Sequence, residues 1–323
     1  MTTNLPARRP TIGLALGGGG ARGLAHILML EVLDDMGLKP TVIAGTSIGA
    51  VVGAAYASGL SARLIRAHAE EALGMRFDIV RQLLSARADP VRKILSFLPL
   101  RSSLFKPEML LDYMLPSKVA RDFSELEIPL KVIATDFHAQ EQVIFETGPL
   151  RTAVAASMAL PALFAPVIVN GRVLMDGGIV NPLPFDVLRG LADVIVAIDV
   201  SGAPVSHSHH PPPTAFAALM VSSQILQRSI VREKLKAEQP DIYIDVEVDE
   251  FHILGFHRFK HVMSAAEPAR DRLRRQLERV LSAHTAETLP ILAPQPAPPA
   301  DADKSRRPRG LLAFRRNRPE DEK

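Results

Sequence analysis

The chain has 323 residues, 47% of them hydrophobic, and contains no cysteine. That is ample apolar material for a packed α/β-sized domain, and it excludes disulfides, zinc–thiolate centres and a cysteine nucleophile. The formal net charge is +3, and residues 301–323 account for all of it with 8 Lys/Arg against 5 Asp/Glu, so the neutral body is not expected to bind nucleic acid. The opening MTTNLPARRP is polar and basic and is not expected to act as a secretory signal. The longest weakly polar run, residues 49–60, falls short of the ~20 apolar residues that span a bilayer. A cytoplasmic protein, soluble or peripheral on the inner face of a membrane, is expected.

In chain order, TIGLALG (11–17) predicts a buried strand, short, apolar and stopped by glycine. ARGLAHILMLEVLDDMG (21–37) predicts a helix, with Ile27, Leu30 and Leu33 or Asp34 at helical spacing and Gly37 as its stop. TVIAGT (41–46) predicts the next strand and SIGAVVGAAYASG (47–59) the next helix. PLKVIATDF (129–137) and QVIFET (142–147) predict strands joined by a polar turn. RTAVAASMAL (151–160) predicts a helix ending at Pro161. VIVNGRVLMD (167–176) predicts a hairpin turning at Asn170-Gly171. DVIVAIDV (193–200) reads as a strand, residues 214–239 as a helix, and the alternating DIYIDVEV (241–248) as an edge strand.

Strands alternating with helices predict an α/β three-layer sandwich around a mostly parallel central sheet. The expected division is a catalytic core over 11–200, C-terminal helices and an edge strand packed on it over 201–287, and a Pro-rich, basic, disordered tail over 288–323.

Two strand ends carry chemistry. GTSIG (45–49) fits G-x-S-x-G between an apolar strand and a helix, the context of a nucleophile elbow, with Gly45 and Gly49 flanking Ser47. On its own the pentapeptide is equally an ordinary Gly-rich turn. GGGGARG (17–23) contains G-x-G-x-x-G at Gly18, Gly20 and Gly23. A dinucleotide site wants an acidic residue at the end of the next strand, where Thr46 and Ser47 stand instead, and no G-K-[ST] follows to make a P-loop. Bare backbone N–H groups at a helix start, together with Arg22, fit an oxyanion hole better than a phosphate cradle.

A serine nucleophile needs a base. His207, His209 and His210 lie in a Pro-rich loop, and His26 and His68 within helices, where packed or surface roles are commoner. Asp176 instead sits at a strand end before Gly177 and Gly178, although Asp-Gly-Gly alone is simply a turn signal.

The ordered set GGGGARG (17–23), GTSIG (45–49) and DGG (176–178), with the connecting AASMALPALFAPVIVNGRVLMDGGIVNPLP (155–184), resembles the patatin-like phospholipase family. The closest likeness is to bacterial members near the neuropathy target esterase branch. The resemblance covers residues 11–200. It implies a Ser-Asp dyad with Ser47 as nucleophile and Asp176 as general base. It places Gly18, Gly19 and Gly20 in the oxyanion loop with Arg22 at its basic position. It also implies hydrolysis of phospholipid, lysophospholipid or simple carboxylic esters without metal or cofactor. A free Asp, with a pKa near 3.9, is too acidic for an ideal base at pH 7, so burial among Leu174, Met175 and Ile179 is expected to raise it.

Acyl transfer to an alcohol other than water shares the acyl-serine intermediate. A non-catalytic lipid- or nucleotide-binding protein is the alternative outside enzymes. The expected partner is a lipid ester, with peripheral membrane contact through the apolar, basic stretch 76–106, which carries 7 Lys/Arg against 2 Asp/Glu. That stretch reads equally as a packed helical excursion. Oligomeric state is unreadable.

Overall fold

The computed structural model describes residues 9–75, 105–202, 212–248, 251 and 253–287. The expected excursion up to residue 104, the histidine loop at 206–210 and the tail from 288 lie outside the described residues.

An eight-stranded mixed sheet forms the centre, in the order β5-β6-β3-β2-β1-β7-β8, with β4 also on β3. Its parallel part comprises β1 (Ile12–Leu16), β2 (Val42–Thr46), β3 (Leu130–Asp136), β7 (Val194–Asp199) and β8 (Ile242–Asp245). The other three strands, β4 (Glu141–Phe145), β5 (Val167–Val169) and β6 (Arg172–Asp176), pair antiparallel. Antiparallel pairing arises because β3–β4 and β5–β6 are joined by tight turns, which reverse the chain where a helical crossover would not. The β5–β6 turn is at Asn170-Gly171, both at positive φ (52° and 77°), as a two-residue hairpin loop requires.

Helices cover both faces, and the period-2 alternation of the strands decides which side chains each face buries. Leu14 and Leu16, Ile43, Val196 and Ile198 face the larger core. That core lies under α1 (Ala25–Asp35), α2 (Ile48–Ala57), α3 (Ala62–Met75), α4 (Pro107–Met114), α5 (Leu150–Ser157) and α7 (Phe259–Glu287). Ala15, Ala44, Ile195 and Ala197 point the other way, against Phe185, Leu188 and Val231 of α6 (Ala215–Ala237).

Two boundaries differ from the expected ones for local reasons. The first helix does not run from residue 21: Gly20, at φ +58°, lies outside the α region, so the chain enters α1 through a 3-10 turn over Gly20–Leu24. At its far end Gly37 closes α1 as expected, with the Leu38 N–H on the Leu33 carbonyl and the Gly37 N–H on the Asp34 carbonyl. The helix expected over 151–160 stops at Ser157, with the Met158 N–H still on the Val154 carbonyl and the Ala159 N–H turning to the Ala156 carbonyl ahead of Pro161. Among the described residues no helix is long and apolar enough to cross a membrane.

β3 brings the site together. One of its edges is filled by β4. The other is shared end to end: β2 pairs with its first half, up to Thr46 against Ile133, and β6 with its second half, beginning with Asp176 against Ala134. The carboxyl ends of β2 and β6 therefore meet head to head, although 129 residues separate Ser47 from Asp176 in sequence.

Candidate active site

Ser47 follows β2 and precedes α2, with φ 54° and ψ −121°. A non-glycine residue held there is strained by roughly 1–3 kcal/mol, and it persists only where its surroundings fix it. The Ser47 N–H donates to Ser157 Oγ at 2.9 Å, and Ser157 is fully buried at the end of α5. The turn also brings α2 down onto β1, so a methyl group on Gly49 would stand 2.1 Å from the Leu16 carbonyl oxygen. Only hydrogen fits at Gly49, which is why a small residue is needed two positions after the serine.

The Ser47 hydroxyl donates to Asp176 Oδ2 at 2.7 Å, and Asp176 Oδ1 accepts the Gly178 N–H, also at 2.7 Å. The backbone of Asp176 is held too. Its N–H donates to the Ala159 carbonyl at 3.0 Å, and its own carbonyl accepts the Thr135 hydroxyl at 2.8 Å. Gly177 lets the turn lie on β3, since a methyl there would stand 2.2 Å from the Ile133 carbonyl oxygen. Asp176 is 4% exposed. Burial pushes its pKa up from 3.8 to about 6, against the lowering effect of the Ser47 and Gly178 hydrogen bonds. The carboxylate is thus still ionised at neutral pH, yet far more basic than a surface aspartate.

The glycine loop lies alongside, Gly18 directly against Ser47. The Gly18 N–H, however, is occupied by the Pro182 carbonyl at 2.9 Å. Arg22 is also occupied: its side chain is buried and donates to the Phe251 carbonyl at 2.7 Å, to the Ser201 carbonyl and to Gln224 Oε1 at 2.8 Å. Of the residues expected in the oxyanion loop, Gly18, Gly19, Gly20 and Arg22, the Gly18 N–H and the Arg22 guanidinium are thus taken up within the protein. Gly18 anchors the loop to the turn after Asp176, and Arg22 ties it to the segments beyond β7. Among the described residues the N–H groups of Gly19, Gly20 and Ile48 donate to no acceptor, and all three residues line the cavity that holds Ser47.

That cavity has a volume of about 180 Å³. Ser47 and Asp176 lie on its floor, and its walls are mostly apolar, with Leu110, Met114, Met158, Phe164, Met220 and Phe256 among them. Among the described residues there is no cluster of three His, Asp or Glu side chains placed to hold a metal ion.

Several supporting residues were given no role by the motifs. Thr46 donates through its hydroxyl to the Asn181 carbonyl at 2.8 Å, tying the elbow to the loop after Asp176. Lys234 reaches from α6 to Asn181 Oδ1 at 2.6 Å, the Leu183 carbonyl and Asp186. His26 is fully buried, and its Nε2 contacts the Gly17 carbonyl at 2.8 Å, so it braces the glycine loop. Burial lowers its pKa from 6.5 to about 4, which keeps the ring neutral. Thr46 lies inside GTSIG and Asn181 inside the LMDGGIVNPLP stretch, but neither position announced its role; Lys234 and His26 are ordinary residues of helices.

A family profile for patatin-like phospholipases matches residues 14–189. The chain is 36% identical over 209 residues to an uncharacterised NTE family protein of Mycobacterium tuberculosis, covering 64% of this chain and 54% of that protein. It is 35% identical over 194 residues to patatin-like phospholipase domain-containing protein 7 of Rattus norvegicus, covering 58% of this chain and 13% of that protein. The chain thus matches about half the length of the first relative and about an eighth of the second. Among solved structures, VipD from Legionella pneumophila is similar with a TM-score of 0.41 at 16% identity, over 82% of this chain and 67% of that one.

Proposed function

The chain belongs to the patatin-like phospholipase family, and on that premise we propose that it is a serine hydrolase of lipid carboxylic esters, phospholipids or lysophospholipids, with Ser47 as nucleophile and Asp176 as its base. The observation that carries this reading is the 2.7 Å hydrogen bond from a strained serine to a buried, basic carboxylate on the floor of an apolar cavity.

Ser47 Oγ attacks the ester carbonyl as its proton passes to Asp176 Oδ2. The carbonyl oxygen becomes an oxyanion beside the N–H groups of Gly19, Gly20 and Ile48, and each such donor is typically worth about 3–4 kcal/mol. The intermediate collapses, the C–O bond to the leaving alcohol breaks, and Asp176 returns the proton to the departing oxygen. Water, deprotonated by the same carboxylate, attacks the acyl-serine, releases the fatty acid and restores Ser47. Apolar walls accept the acyl chain and exclude water from the charge that develops.

The test is a fluorophosphonate probe with intact-mass readout on the wild type, Ser47→Ala and Asp176→Asn. A single adduct on wild type is expected, absent from Ser47→Ala and at least about a hundredfold slower in Asp176→Asn, the size of a lost general base. A folded wild type that takes no adduct in the presence of detergent micelles would leave the serine without a catalytic role.

A further inference from the structure

The N-terminal half of α6 has two different sides. Residues 212–227 contain no charged side chain. At 3.6 residues per turn, Met220, Ser223, Gln224 and Gln227 share one side, and all four line the catalytic cavity. On the opposite side Leu219, Ser222 and Leu226 form one row and Val221 and Ile225 the next. The four aliphatic residues there are 50%, 64%, 47% and 56% exposed, in the order Leu219, Leu226, Val221, Ile225. An amphipathic helix on a protein surface turns its apolar side inward; this half-helix has an apolar side toward water as well.

The exposed aliphatic side belongs to the same helix whose other side walls the cavity. Across the cavity, α4 contributes Met109 and Tyr113, which both line it and are 54% and 38% exposed. Positive charge borders the same region: Lys106 lines the cavity at the start of α4, and α6 continues past residue 227 with Arg228, Arg232 and Lys236 against the single acid Glu233, while Lys234 turns inward to Asp186. An apolar band around a cavity mouth, flanked by cations, matches the layering of a lipid surface, with acyl chains below anionic phosphates.

We infer that the outward side of α6, together with Met109 and Tyr113 of α4, is a docking surface for a phospholipid bilayer and sets the cavity mouth against the lipid from which a substrate is drawn. This rests on the lipid-hydrolase reading for its purpose but not for its test. Leu219, Ile225 and Leu226 touch no part of the catalytic cavity, so their replacement separates docking from chemistry.

The experiment uses the full chain and the triple variant Leu219→Gln/Ile225→Gln/Leu226→Gln. It measures co-sedimentation with phosphatidylcholine–phosphatidylglycerol vesicles, turnover of a water-soluble p-nitrophenyl ester, and solution mass. The expected result is vesicle affinity reduced by at least about tenfold, since three aliphatic side chains are withdrawn from the interface. Soluble-ester turnover and monomer mass stay unchanged. Vesicle binding equal in wild type and variant overturns the inference. So does a wild-type dimer that dissociates in the variant, which would assign the face to a second copy. So does amide exchange across 217–227 already protected without vesicles, which would assign it to another part of this chain. Vesicle binding lost in the variant while the wild type hydrolyses no ester would instead strike the hydrolase reading and leave docking intact.

Discussion

At the scale of single residues, the buried charge of Asp176 sets two measurable pH dependences. The base must be ionised to accept the Ser47 proton, and its pKa is raised to about 6 by burial. On a soluble ester, kcat/KM is therefore expected to rise about tenfold per pH unit below pH 6 and to level off above it. A profile already flat at pH 5 would mean an unshifted carboxylate. Stability runs the other way. Between pH 3.8 and about 6 the folded protein holds a proton that the unfolded chain has released, so this group lowers stability as pH rises through that window. Asp176→Asn removes the buried charge and keeps an acceptor for the Gly178 N–H. The variant is expected to be more stable than wild type by about 2–3 kcal/mol at pH 8 and by almost nothing at about pH 3, while losing activity; urea unfolding at the two pH values checks it. His26 contributes the opposite slope. Its pKa falls from 6.5 to about 4, so between those values the unfolded chain binds a proton that the folded one refuses, and stability rises with pH. The two slopes partly cancel in wild type, which is why the comparison has to be made against the variant.

At the scale of elements, the elbow is held by backbone packing as much as by side-chain chemistry. Gly49→Ala would place a methyl group 2.1 Å from the Leu16 carbonyl, backbone against backbone, with no flexible group to yield. A loss of at least about 3 kcal/mol is expected, enough to give little soluble protein. Gly53, one turn on in α2, is a control of the same chemistry. A methyl there would meet its neighbours at 3.4 Å or more, so Gly53→Ala is expected to be neutral or to stabilise by up to about 1 kcal/mol through helix propensity. Thermal unfolding of the two variants decides it, and equal effects would remove the close-approach account of the motif. Steric demands of this kind explain what was legible in the sequence. A glycine forced by backbone contact at Gly49 or Gly177 leaves a letter that no other residue supplies, and so do a serine and an aspartate at strand ends. The end-to-end sharing of the β3 edge left no such letter, because either register would accept the same Val, Ile and Ala residues.

At the scale of the whole molecule, the part of the chain that carries the motifs does not complete their site. The glycine loop is fixed from beyond residue 200: the Ala21 N–H donates to the Ile253 carbonyl at 2.7 Å, and Arg22 is bound by the Ser201 and Phe251 carbonyls and by Gln224. Backbone carbonyls accept a hydrogen bond whatever residue carries them, so these anchors had no signature to read. The C-terminal elements are also part of the main core. β8 extends the sheet on β7, and Val262, Ala266, Ala269, Leu273 and Leu277 repeat at helical spacing along α7 and are buried with α1. A chain ending at residue 200 would expose that face of α1 and release the loop that holds Gly19 and Gly20. It is expected to be insoluble or to lack a cooperative unfolding transition. Leu273→Ala tests the same dependence without truncation. Leu273 is fully buried, so the cavity left behind should cost about 2–5 kcal/mol and lower Tm by several degrees. Fluorophosphonate labelling well below the lowered Tm should persist, because Leu273 does not line the catalytic cavity. A truncated chain that folds and labels at the wild-type rate would show that residues 12–200 hold the glycine loop unaided.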